Sequence, residues 1–145
     1  MYALQPLRFL PVVAHERQAA RCQKELFIKN LKACMNWIPL ENEKQLDEII
    51  SASNAIPQVI FKHSTRCGTS KMVKNRLERS DNPPGINFYL VDLFKYRNIS
   101  NRIASQFNVM HESPQVLVID NGNCIYDESH SAIVFDEIEE VVAQK

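Results

Sequence analysis

Cys67 is the residue of this chain best placed to do covalent chemistry. It closes the stretch His63-Ser64-Thr65-Arg66-Cys67 and is followed by Gly68, Thr69 and Ser70. Before this turn stand Val59, Ile60 and Phe61, β-forming residues opened by Pro57, and after it Met72, Val73 and Leu77 recur at roughly helical spacing. A cysteine between a strand and a helix meets unpaired N–H groups and the positive end of the helix dipole, so its anion is favoured, with help from the charge of Arg66. A thiol so placed has its pKa lowered from about 8.5 into a range of about 3.5 to 7.5. His63 is either a further influence on that ionisation or an ordinary strand-end histidine.

Three positions after Cys67, where a dithiol oxidoreductase has its resolving cysteine, the chain has Ser70. A hydroxyl there can donate to the Cys67 sulfur but cannot form a disulfide. Attack on a mixed disulfide therefore leaves an adduct on Cys67 that something outside the motif must remove. The expected chemistry is that of one thiol. The other cysteines are Cys22, Cys34 and Cys124. On a helix Cys22 and Cys34, twelve apart, point about 120° away from each other, so they make no joint metal site. No metal site is expected. Cys124 follows a turn at the far end of a strand and is expected to be a buried, inert thiol.

Further elements must hold this turn in place. Residues 37 to 40 are expected as a short edge strand, and Asn42 with Gln45 three residues on begins a helix whose stripe is Leu46, Ile49 and Ile50. The central strand follows, then a helix running from the Cys67 turn to about Arg79. After the loop Ser80-Asp81-Asn82-Pro83-Pro84-Gly85, residues 86 to 93 alternate as a strand, with Phe88 and Leu90 set against Tyr89, Val91 and Leu93. Asn98 is the expected cap of a helix carrying Ile99, Ile103 and Phe107. Two strands then flank Asp120-Asn121-Gly122-Asn123, a hairpin turn signal. A last helix is expected to start near Ser129 or Ser131 and to bury Val134, Ile138, Val141 and Val142. Residues 1–34 form an N-terminal extension, helical from about residue 15, and residues 35–145 the main domain.

The 145 residues carry 17 basic and 17 acidic side chains, with no basic run interleaved with aromatics. That balance speaks against a nucleic-acid partner and an anionic membrane surface. No stretch has the length of a membrane span, and the apolar run Phe9-Leu10-Pro11-Val12-Val13-Ala14 is too short and broken to read as a secretion signal. Four cysteines without a C-x-x-C pair do not form a disulfide scaffold, so a reducing cytoplasm is the expected compartment.

This α/β order, with a cysteine opening the helix after a strand and a later Ser-Pro before a hairpin, resembles the thioredoxin-like fold, a central mixed β-sheet flanked by helices. Pro114 matches the proline that faces the reactive sulfur in that fold. Within it, His63-Ser64-Thr65-Arg66-Cys67, Ser70 and His111-Glu112-Ser113-Pro114-Gln115-Val116 resemble the monothiol bacilliredoxins, from about Met35 to the C-terminus. The resemblance implies removal of bacillithiol, or a similar low-molecular-weight thiol, from S-thiolated cytoplasmic proteins, through a mixed disulfide on Cys67. It implies no bound cofactor, with the small thiol as co-substrate and S-thiolated proteins as partners. Cys67, Ser70 and Arg66 would be catalytic, and Thr65, Gly68, Thr69, Ser113 and Pro114 would meet the substrate. His111 and His130 are expected to be structural or surface residues. Thioredoxins keep an acidic residue six positions before the nucleophile to deprotonate their second cysteine, and Phe61 stands there here. Cys67-Gly68-Thr69-Ser70 is also one residue from the motif of monothiol glutaredoxins that share an iron–sulfur cluster, which makes a cluster carrier one alternative and a non-catalytic interaction module another. The oligomeric state is left open.

Overall fold

The computed structural model describes residues 35–145. The helix expected between residues 15 and 34, with Cys22 and Cys34, lies outside the described residues. Five strands, β1 (Trp37–Pro39), β2 (Gln58–His63), β3 (Asn87–Asp92), β4 (Gln115–Asp120) and β5 (Asn123–Ser129), form one sheet in the order β1-β3-β2-β4-β5. β3 runs parallel to both β1 and β2, while β4 is antiparallel to β2 and to β5. The helices are α1 (Glu43–Ala52), α2 (Gly68–Leu77), α3 (Arg97–Phe107) and α4 (Phe135–Ala143).

Strand alternation sorts the core into two layers. Val59 and Phe61 of β2, Phe88 of β3, and Val116 and Val118 of β4 pack with Val73 and Leu77 of α2 and with Phe135 and Ile138 of α4. Their neighbours Ile60, Val91, Leu117 and Ile119 turn the other way, against Leu46 and Ile49 of α1 and Ile99 and Ile103 of α3. Each fully buried Leu or Ile contributes about 1.5 to 3 kcal/mol of apolar transfer, so both layers are needed to hold the sheet. β2 lies at the centre, its six residues all buried.

Local signals account for most boundaries. Asn42 Oδ1 accepts from the Gln45 N–H at 2.9 Å, and Gln45 Oε1 accepts from the Asn42 N–H at 3.1 Å, a reciprocal cap. Asn121 and Gly122 both have positive φ, 48° and 75°, as a two-residue hairpin loop of this twist requires.

Three expectations need correction. α3 begins at Arg97 with Tyr96 at the N-cap, and Asn98 lies inside it, donating from Nδ2 to Glu43 Oε1. The last helix starts at Phe135, after a 3-10 turn over His130–Ala132, because Ile133 and Val134, both out of the helical region, separate the turn from the helix. Phe135 therefore takes the buried place expected of Val134, which is 37% exposed. Met72 points outward, 54% exposed, since α2 buries the narrower stripe Val73 and Leu77.

Candidate active site

β2 and β4 set the site. Lys62 pairs with Gln115 across the antiparallel ladder, so the turn that follows β2 and the segment that precedes β4 leave the sheet at the same end. The first carries Thr65, Arg66 and Cys67; the second carries His111, Glu112, Ser113 and Pro114.

Cys67 is the N-cap residue of α2, in extended conformation (φ −94°, ψ 123°), and is partly exposed. Its sulfur closes no capping hydrogen bond as a thiol. The ionised form is favoured all the same: the Ser70 N–H is the largest influence pulling its pKa below the ordinary thiol value, opposed by partial desolvation and supported by the Thr69 N–H and hydroxyl. Gly68 and Thr69 are exposed in the first turn, and a Cβ at Gly68 would meet no atom within 4 Å, so the approach from that side is open.

Ser70 acts differently from expectation. Its side chain is fully buried and points inward, away from the role of donor to the sulfur. The Ser64 N–H donates to Ser70 Oγ at 3.0 Å, and Ser70 Oγ lies 2.6 Å from His63 Nδ1. Desolvation, with the charge of Lys74, lowers the His63 pKa and favours the neutral ring, which is hydrogen-bonded through Nδ1 to the Ser70 hydroxyl. The ring of His63 stacks on Phe61 at 6.0 Å between centroids. His63 and Ser70 thus pin the turn from beneath, and Ser70 meets the sulfur through its backbone alone.

Arg66 is exposed, and its guanidinium carbon stands 3.6 Å above the centre of the Phe94 ring. That cation–π contact holds it against the β3–α3 loop, and its charge is not among the influences on Cys67. Thr65 is exposed beside it. Phe94, 57% exposed, was silent in the sequence because a lone aromatic in a loop has no periodicity to mark it.

The Ser113-Pro114 peptide bond is cis. Pro114 is buried, and its carbonyl accepts from the His130 N–H at 2.8 Å. Of the two residues expected to offer backbone to a substrate, only Ser113 retains backbone groups without a partner among the described residues; its hydroxyl is buried and likewise unpartnered among them. His130 is exposed and faces Glu112 at 2.9 Å.

The second half of this region was missed from sequence. Lys62 is fully buried, on the face of β2 opposite His63. Nζ donates to Gln115 Oε1 at 2.8 Å and to His111 Nδ1 at 3.0 Å, and the Ser100 hydroxyl reaches the same ring nitrogen at 3.1 Å. The signal was a lysine inside a strand otherwise buried on both faces.

Cys124, expected to be inert, is half-buried on the α1–α3 side, and burial pushes its pKa up to about 11. In register it pairs with Ile119, which pairs with Gln58 at the start of β2. At about 3.3 Å per residue, that is roughly 16 Å along the sheet from His63. Among the described residues no second thiol lies near Cys67, and no three His, Cys, Asp or Glu side chains are grouped to hold a metal ion. No helix among them is long and apolar enough to cross a membrane.

Residues 38–138 match the family described as monothiol bacilliredoxin BrxC. Among solved structures, a protein described provisionally as an oxidoreductase with a thioredoxin fold superposes with a TM-score of 0.65 at 24% identity, over 72% of this chain and 91% of that one. Thioredoxin from Malassezia sympodialis gives 0.60 at 20% identity, over 79% of this chain and 95% of that one. Thioredoxin from Trypanosoma brucei brucei gives 0.59 at 16% identity, over 75% and 89%. At such identities the likeness is one of fold, and the fold is the thioredoxin fold.

Proposed function

The chain belongs to the monothiol bacilliredoxin BrxC family, a thioredoxin-like oxidoreductase, and from that premise we propose that it removes bacillithiol, or a similar small thiol, from S-thiolated cytoplasmic proteins. The Cys67 thiolate attacks the small-thiol sulfur of the mixed disulfide. One S–S bond forms between Cys67 and the small thiol as the protein–thiol S–S bond breaks, and the protein cysteine leaves as a thiolate that takes a proton from water. The Ser70 and Thr69 N–H groups hold the charge on Cys67 before attack. Arg66 and Thr65 border the entry to the sulfur, and the Ser113 backbone offers the substrate chain hydrogen bonds. With no neighbouring sulfur among the described residues, Cys67 keeps the adduct until a second thiolate displaces it, forming the small-molecule disulfide.

The observation that carries this reading is a partly exposed thiol at a helix start with a buried serine, facing inward, at the resolving position. To test it, the pure protein is incubated with oxidised bacillithiol and, separately, with oxidised glutathione, and adducts are mapped by intact and peptide mass spectrometry. One adduct per chain, on Cys67 and absent in Cys67→Ala, is expected, with bacillithiol faster. Undiminished adduct formation in Cys67→Ala would overturn the assignment.

A further inference from the structure

Lys62 takes no part in the exchange chemistry, yet among the described residues its ammonium is the one cation buried on the central strand. Its partners all belong to, or hold, the segment that precedes β4. The side-chain amide of Gln115, 1% exposed, is a hub. Its Oε1 accepts from Lys62 Nζ (2.8 Å) and from the Glu112 N–H (3.3 Å), while its Nε2 donates to the Met110 carbonyl (2.9 Å) and to Asp127 Oδ2 (3.3 Å). Residues 110 and 112 are thereby tied to the first residue of β4.

An ammonium can only donate, and this decides two ambiguous groups. Gln115 must present its oxygen to Lys62, which leaves its NH₂ for Met110 and Asp127. His111 must accept at Nδ1, so its ring is neutral with the proton on Nε2, in accord with the lowering of its pKa by burial and by the nearby charges of Lys62 and Arg97. Without Lys62 the His111 tautomer is no longer imposed, since the Ser100 hydroxyl can donate or accept, and Gln115 loses its charged partner.

We infer that Lys62 is a positioning residue for substrate: through Gln115 and His111 it fixes the segment 110–114, and with it the Ser113 backbone that a disulfide-bearing chain would pair with. The inference rests on the exchange reaction proposed above. The charged and titratable groups facing the ammonium are His111 and Glu112 from the segment itself, Arg97 from α3 and Asp127 from β5. Arg97 opposes its charge and the two carboxylates support it.

The test compares two reactions of Cys67 in wild type and Lys62→Met. Alkylation by iodoacetamide needs the thiolate alone; exchange with a synthetic peptide whose single cysteine is disulfide-linked to bacillithiol also needs the docking segment. In Lys62→Met the exchange rate is expected to fall about fivefold, through KM, while alkylation moves less than twofold. Hydrogen exchange by mass spectrometry, run on the same sample, should show faster exchange over residues 110–113 with β2 and β3 still protected, which also verifies that the variant is folded. Wild-type-like peptide exchange or unaltered protection over 110–113 overturns the inference. A wild-type protein that alkylates but performs no peptide exchange overturns the proposed function, and this inference with it.

Discussion

His63 and Lys62 are adjacent on β2 and both buried, yet the sheet sends them to opposite faces and to opposite kinds of work. His63 faces α2, has its pKa lowered by burial, and is hydrogen-bonded to Ser70 beneath the Cys67 turn. Lys62 faces α3, donates to an amide and an imidazole, and braces the segment opposite that turn. One face steadies the nucleophile and the other steadies what the nucleophile's substrate would lie against. The difference in charge makes their energetics differ in size. A neutral pair is lost by removing either partner, whereas a buried ammonium carries a desolvation cost that its partners only partly offset.

The contrast can be broken by substitution. Ser70→Ala leaves the Ser64 N–H and His63 Nδ1 without their partner in a buried place, and is expected to destabilise by about 2 to 3 kcal/mol in urea denaturation at pH 7. A loss below about 0.5 kcal/mol would mean that the imidazole is not anchored as described.

Alkaline pH sharpens the same contrast. The Lys62 pKa is lowered to about 8, by burial first and by Arg97 second. Between that value and about 10.5 the unfolded chain binds a proton that the folded one does not, so stability rises with pH across this window. Such a shift carries about 3 kcal/mol, and screening by the polar groups around Nζ brings the expected gain to about 2 kcal/mol. Because the raised Cys124 pKa, about 11, works the opposite way in both proteins, the gain is read as a difference: from pH 8 to 10 wild type should gain stability relative to Lys62→Met in denaturation midpoints.

At pH 7, Lys62→Met should change stability by no more than about 1 kcal/mol in either direction. Gln115 Oε1 keeps the Glu112 N–H and His111 Nδ1 keeps Ser100, so no group is orphaned. A loss like that of Ser70→Ala would erase the distinction between the two faces.

The smallest effect lies in acid. His63 and His111 both have lowered pKa values, so their contribution is complete above about pH 6.5 and is lost as pH falls, when the unfolded chain takes up protons first. The decline from pH 6.5 to 5.5 is expected to be about 1 kcal/mol or less.

How much of this was legible beforehand can be followed residue by residue. The turn at Cys67 and the strand and helix around it were readable because strand and helix periods change sharply there and polar residues fill the gap. The reciprocal cap of Asn42 and Gln45 and the Asn121-Gly122 loop were readable because their interactions close within a few residues. Helix starts at Arg97 and Phe135 were misplaced where no side chain caps the helix. Ser70 was singled out by its position, but its hydroxyl was aimed at the wrong partner, since spacing along a helix says nothing of what a strand residue seven positions earlier presents.

The sequence by itself determined the order of the elements, the candidate nucleophile, and the absence of a resolving sulfur three residues on, because these depend on residue type and on contacts local in the chain. Only the tertiary structure decided that Arg66 lies on Phe94, that Ser70 serves His63, and that Lys62 meets His111 and Gln115 some fifty residues away. Those pairings are set by strand register and by the face each strand residue occupies, and register belongs to the sheet as a whole.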